Sequence, residues 1–216
     1  MFRTLLVAVA AMMLTACVTP RAVELQNPSI GYKASDKVLV GVVEDRPRVK
    51  AGKPNNFAGF ARVYGAPMDW TVNEMTLADK TAKGKSMSLY LAERIAAGLK
   101  SGGADVMVMA ASGVATDAQA DEVLAANNAG VLLTVVDREW HFDVNTNWVG
   151  KFRFDSELEL VVQRRGKGTV LRKTFKDSQA VQAEGDESWP NLIVDAYKAK
   201  LEEIFSDAEV KAALAG

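Results

Sequence analysis

Apolar positions along the chain fall into three kinds of pattern, each predicting a different kind of element. Val38-Leu39-Val40-Gly41-Val42-Val43 is a continuous apolar run rich in β-branched residues, closed by Glu44-Asp45-Arg46-Pro47, and it predicts a strand buried on both faces. Val106–Met109 and Val131–Val136 repeat that signature, the latter continuing through Trp140 towards Val144. Phe152, Phe154, Leu158, Leu160 and Val162 instead alternate with Lys151, Arg153, Asp155, Glu157 and Glu159, the period-two pattern of a half-buried antiparallel strand. The turn at Arg164–Gly168 returns the chain along Thr169–Val181 as a hairpin.

Helical spacing supplies the third pattern. Leu91, Ile95 and Leu99 recur at four-residue steps within Met87–Lys100, and Gly102-Gly103 ends that helix. Thr116 with Gln119 forms a capping-box signature for a helix running to about Asn128. Pro190, Ile193, Tyr197, Leu201 and Ile204 mark an amphipathic helix to about Phe205, and Ser206 with Glu209 marks the start of a short final one. The order predicts an α/β fold: a single-domain sandwich of a mixed β-sheet with amphipathic helices packed on it, spanning 37–216. Residues 48–85 carry five glycines and prolines besides Gly84, and read as a long loop insertion in which Phe57–Val63 is a possible strand.

The first sixteen residues differ from the rest. Arg3 gives a positive start and Leu5–Leu14 is almost unbroken apolar sequence, the pattern of a signal peptide over 1–16, too short to span a bilayer core of about 30 Å as a helix. Leu14-Thr15-Ala16-Cys17 resembles the lipobox of bacterial lipoproteins at all four positions. The resemblance implies cleavage between Ala16 and Cys17 and lipid attachment at the Cys17 sulfur, and Val18 in place of an aspartate implies sorting to the outer membrane with the domain facing the periplasm. Residues 17–36, with Pro20, Pro28 and Gly31, read as a lipidated N-terminus and flexible tether.

Composition narrows the chemistry. The chain has 26 basic and 27 acidic residues, a formal net charge of -1, which lacks the basic footprint of a nucleic-acid binder. Its single cysteine sits at the signal boundary, so no intramolecular disulfide forms, and with one histidine no Cys/His zinc site can be assembled: no metal and no cofactor are expected. Gly84-Lys85-Ser86 before a helix looks like the end of a phosphate-binding loop, but Asp79 stands where its first glycine belongs, so a helix start is expected and no nucleotide.

Four further sets carry candidate chemistry. Asp155, Glu157 and Glu159 share a strand face at spacings of about 7 Å, suited to acid and base work or to cross-strand ion pairs with Arg172 and Lys176; the ion pairs are favoured. His141, between Trp140 and Phe142, lacks an evident nucleophile, and Asp45-Arg46 reads as a local ion pair. Tyr64, Trp70, Trp140 and Trp148 either pin the long loop or form a partner-binding patch. No catalytic residues are assigned, and the chain is expected not to be an enzyme.

The layout as a whole resembles the YajG-like proteobacterial lipoproteins, through the lipobox, an early strand ending in the Asp45-Arg46 pair, a helix running into Gly102-Gly103, a long hairpin, and a C-terminal helix followed by Asp207. Related α/β folds occur in the curli secretion and penicillin-binding-protein activator lipoproteins, and the resemblance implies a non-enzymatic part of an envelope assembly with a protein partner. A small-ligand or lipid-binding periplasmic module is the alternative.

Overall fold

In the computed structural model, residues 20–76, 80–145, 147, 151–182 and 188–216 are described. One mixed sheet is built around a long strand, β5 (Val131–Asn145). On one side β5 pairs antiparallel with β6 (Lys151–Arg164), which pairs with β7 (Gly168–Gln182). On its other side two short strands share the edge in succession. β1 (Val38–Glu44) runs parallel to Val131–Asp137 and carries β4 (Val106–Val108) on its outer edge. β2 (Phe57–Val63) runs parallel to Phe142–Asn145 and carries β3 (Ala66–Thr71). Between the two lies a break in the ladder, opposite residues 138–141.

Helices α1 (Met87–Ser101), α3 (Trp189–Ser206) and α4 (Ala208–Ala215) cover one face, burying Leu91, Ile95, Leu99, Ile193, Tyr197, Leu201 and Leu214 against Val38, Val40, Leu133, Val135, Phe154, Leu158 and Leu160. Helix α2 (Asp117–Ala126) covers part of the other face, where Ala120 and Leu124 meet Leu39 and Leu132. At about 25 cal/mol per Å² of buried apolar surface, the larger cluster is the main driving force for folding. The α/β class, the single sheet and its covering helices are as the patterning predicts.

Local signals explain the helix ends. Thr116 and Gln119 form the reciprocal capping box, Gln119 N donating to Thr116 Oγ1 at 3.3 Å and Thr116 N to Gln119 Oε1 at 2.9 Å. Ser86 caps α1 by accepting from Leu89 N, while Lys85 Nζ pairs with Glu93 at 2.5 Å. The final helix differs from expectation: Asp207, not Ser206, is the cap, accepting from Glu209 N and Val210 N, and the Ser206 hydroxyl donates to the Glu203 carbonyl. A carboxylate at a helix start also favours the helix dipole.

Two segments depart from their sequence reading. Residues 48–85 are not a long loop: they contain the β2–β3 hairpin and a capped single-turn helix at Val72–Met75. The tether expected over 17–36 is packed against the domain from residue 20 onward. Gln26, Ile30 and Ala34 are buried, Arg21 pairs with Asp195, and Ser29 N donates to Glu202 at 2.7 Å. The segment descends between α1 and α3, and glycines permit the approach: a Cβ on Gly98 would stand 2.7 Å from the Pro28 carbonyl oxygen. Signal residues 1–16 and Cys17 lie outside the described residues.

Candidate functional site

The break in the sheet is closed by one side chain. Arg46, at the turn after β1, is 1% exposed. Its Nη1 donates to the Phe57 carbonyl at 2.6 Å and the Trp140 carbonyl at 3.3 Å, and its Nη2 to the Asn55 carbonyl at 3.3 Å. Its Nε donates to Glu44 Oε1 at 2.8 Å. The guanidinium therefore supplies the donors that a continuous strand would have supplied to carbonyls facing the gap. The local ion pair expected of Asp45-Arg46 is resolved differently: Arg46 pairs with Glu44, while Asp45 pairs with Lys50 at 2.5 Å and Arg138 at 3.2 Å.

A bulge between Asp137 and Glu139 switches the strand's parity beside this break. Before it, Leu133, Val135 and the fully buried Asp137 alternate on one face; after it, Trp140, Phe142 and Val144 return to the core, and Glu139, His141 and Asp143 occupy the opposite face. Asp137 therefore faces away from His141, and Asp143, although on the face of His141, is engaged elsewhere. Asp143 binds Arg62 through two hydrogen bonds at 2.7 and 2.6 Å. The acids that meet the ring are Glu139, whose Oε1 lies 2.9 Å from Nδ1, and Asp155, directly opposite on β6, with Oδ2 3.5 Å from Nε2.

Around His141 these residues form the floor of an open cleft of about 710 Å³. Arg48 on the 45–50 turn reaches Glu139 at 2.9 Å, Arg153 Nε donates to Asp155 at 2.8 Å, and Lys176 reaches Glu157 at 2.6 Å. Arg138 and Arg172 both bind Glu159. The cross-strand pairs anticipated for Glu157 with Lys176 and Glu159 with Arg172 are present. Asp155 and Glu159 are more enclosed than a solvated sheet face implies, because the flanking arginine side chains lie over them.

Electrostatics in the cleft favour fixed charges. Burial pushes the Glu139 carboxyl up, but the His141 hydrogen bond and the charges of His141, Arg48 and Arg46 outweigh it and hold the group below the usual carboxylate range. Burial likewise raises Asp155, and hydrogen bonds from Ser178 and Arg153 together with the His141 charge bring it below its ordinary value. The Ser178 hydroxyl donates to Asp155 Oδ1 at 2.5 Å rather than to the imidazole, so its proton is directed away from the base that would activate it. The cleft thus holds an acid-flanked histidine. Among the described residues, no group of three or more His, Cys, Asp or Glu side chains is placed to hold a metal ion.

The chain matches no family model and no curated protein. Among solved structures it is similar to protein XCC0632 from Xanthomonas campestris (DUF330), with 13% identity, coverage of 91% of this chain and 90% of that one, and a TM-score of 0.46. A PelC dodecamer from Paraburkholderia phytofirmans gives 12% identity, coverage of 92% and 96%, and a TM-score of 0.42. The lipoprotein GNA1162 from Neisseria meningitidis gives 10% identity, coverage of 79% and 99%, and a TM-score of 0.32.

The aromatic set expected to act together is divided. Trp140 is 0% exposed, stacked edge-on against Phe154 and Tyr197 at 5.0 and 5.1 Å, and belongs to the core. Trp70 is half-buried and packs on Trp189 at 4.3 Å, pinning β3 to the start of α3. Tyr64 is 91% exposed at the tip of the β2–β3 hairpin. Trp148 lies outside the described residues. Sequence reasoning missed Glu139, Arg48, Arg138 and Ser178 as neighbours of His141. The Glu139-x-His141 spacing on one strand was the available signal, and the bulge that makes it count was not legible.

Proposed function

We propose that this chain is a bacterial envelope lipoprotein, lipidated at Cys17 and held at the outer membrane facing the periplasm, where its domain acts as a non-enzymatic protein-binding module in an assembly. The lipobox Leu14-Thr15-Ala16-Cys17 after an apolar signal carries the anchoring part of this reading. No helix among the described residues is long and apolar enough to cross a membrane.

The His141 cleft supports the binding part. Its walls present alternating arginines, lysines and carboxylates, each already paired within the chain, on a rigid three-strand floor. Such a mosaic favours exchange of ion pairs with a complementary charged protein surface, with Arg48, Arg138 and Arg153 as contributors of bidentate contacts. Crosslinking in native membranes through a photoreactive residue at position 153 tests it. A discrete adduct with one envelope protein, weakened by reversing the charge of Arg48, is expected; no protein adduct in intact membranes contradicts the binding role.

A second reading rests on a different observation. Met109, Ala111, Val114, Val123 and Leu132 line a mostly apolar hollow of about 390 Å³ beside α2, which suits a small apolar ligand or acyl chain. Lipid copurifying with the domain, and lost when Ala111 is replaced by Leu, would favour this alternative.

A further inference from the structure

The lipid anchor and the folded domain are separated by very little chain. Three residue steps connect Cys17 to Pro20, a maximum reach of about 11 Å. From Pro20 the chain is already placed: Pro20 lies with Met75, Thr76 and Pro190, Arg21 N donates to Asn191 at 2.8 Å, and its guanidinium pairs with Asp195. A lipid on Cys17 therefore holds a particular part of the molecule at the bilayer, namely the N-terminal end of α3 and the single-turn helix at Val72–Met75.

The same end carries the β2–β3 hairpin. Trp70, pinned on Trp189 next to Pro190, pairs with Gly59, and from there the chain runs five residues along β2 and into the turn at Tyr64, about 17 Å. It runs parallel to the C-terminal end of β5, its last pair being Arg62 with Asn145, so the tip lies past the last β2–β5 pair at the end of the sheet where Trp70 meets Trp189. Its two-residue turn has positive φ at both positions, 49° at Tyr64 and 82° at Gly65. Turns of that kind favour asparagine or glycine at the first position, yet here a tyrosine occupies it, 91% exposed, with Val63 at 36% next to it and Met68 at 53% further back on β3, opposite Ala61. An aromatic ring kept in a disfavoured backbone conformation and turned to solvent, on a hairpin that also exposes Val63 and Met68, has the character of an interfacial membrane contact.

We propose that the β2–β3 hairpin tip, with Tyr64 and Met68 leading, dips into the headgroup region of the membrane that holds Cys17, so that the domain is docked on the bilayer in one orientation instead of swinging on a tether. This rests on the lipid-anchor reading above. Docking would leave the His141 cleft, on the face of the sheet opposite α3, accessible from the side.

The test uses the full-length lipidated protein in phosphatidylethanolamine and phosphatidylglycerol vesicles. Cys17 is consumed by lipid, so an introduced thiol can be labelled singly with an environment-sensitive fluorophore at Tyr64→Cys, at Met68→Cys, or at Lys167→Cys on the β6–β7 turn at the far end of the sheet. Labels at 64 and 68 should be blue-shifted and several-fold less accessible to aqueous iodide than the label at 167, and quenched by nitroxide-bearing lipid. A twenty-residue Gly-Ser insertion after Val18 should leave their protection largely intact, since the tip itself contacts lipid. Vesicle-bound protein with all three labels equally accessible overturns the proposal while leaving the anchor standing. Failure of the processed protein to float with vesicles overturns both.

Discussion

Arg46 and Asp137 are both fully buried with Nε 3.2 Å from Oδ2, yet the arginine gives that hydrogen to Glu44. Asp137 consequently lies beside a cation, and among the described residues neither of its carboxylate oxygens receives a hydrogen bond. Burial drives its pKa well above the ordinary aspartate value; Arg46 counteracts this, and the charges of Glu44, Glu139 and Asp45 add to it. The pair is unequal: Arg46 donates to groups on both sides of the break, while Asp137 has its carboxyl pushed upward by burial with only the neighbouring guanidinium to counter it.

Replacing Arg46 by methionine should therefore be severe. It removes donors from the Phe57, Trp140 and Asn55 carbonyls and the counter-charge of Glu44. A loss of about 3–5 kcal/mol in chemical denaturation is expected, the range for stripping one partner from a buried charged network. Arg46→Lys should recover little, because an ammonium cannot span the same carbonyls.

Asp137→Asn should behave oppositely. A carboxyl whose pKa is raised in the folded state binds its proton more tightly there than in the unfolded chain, so its presence lowers stability increasingly as pH climbs above about 3.9 towards the folded value. The Asn variant should match or exceed the parent in unfolding midpoint at pH 7, with the difference shrinking towards pH 4. A variant less stable at pH 7 than at pH 4, relative to parent, would show that Asp137 is ionised and needed.

The cleft acids carry the reverse sign. Glu139 and Asp155 have lowered pKa values in the fold, so their contribution is present above about pH 4 and lost as pH falls through the folded values. Asp155→Asn should reduce stability at pH 7 and make little difference near pH 2. His141→Ala, which takes the imidazole from between Glu139 and Asp155 and leaves a small void, should cost about 1–3 kcal/mol at pH 7 by thermal or chemical unfolding.

Packing of residues 20–36 is checked at Gly98. An alanine methyl there meets the Pro28 carbonyl oxygen at 2.7 Å and the Pro28 ring at 2.8 Å. Gly98→Ala should loosen the N-terminal segment, seen as faster amide exchange at residues 26–32 and a lower unfolding midpoint, despite alanine's better helix propensity.

Periodicity made most of the fold legible: β1, β5, β6, β7 and the long helices stand close to where the apolar spacing places them. β3 escaped because Ala66-Pro67-Met68-Asp69-Trp70-Thr71 buries no continuous face and pairs only along one edge. The packing of 20–36 escaped because its buried residues, Gln26, Ile30 and Ala34, are widely spaced and docked by glycines Gly98 and Gly102 on another element. In the cleft, the carboxylates of β6 were visible as a face, with their pairing to Arg172 and Lys176. Their meeting with His141 was not, since it depends on the Asp137–Glu139 bulge, which has no hydrophobic signature, and on a sheet gap that only the three-dimensional pairing reveals.

Metabolic labelling with a tagged fatty acid tests the central claim most directly. The full-length protein expressed in a bacterial host should incorporate label and fractionate with the outer membrane, and Cys17→Ala should incorporate none while retaining a folded domain. Label retained by Cys17→Ala, or absent from the parent protein, would contradict the account of this chain as a lipoprotein anchored at Cys17.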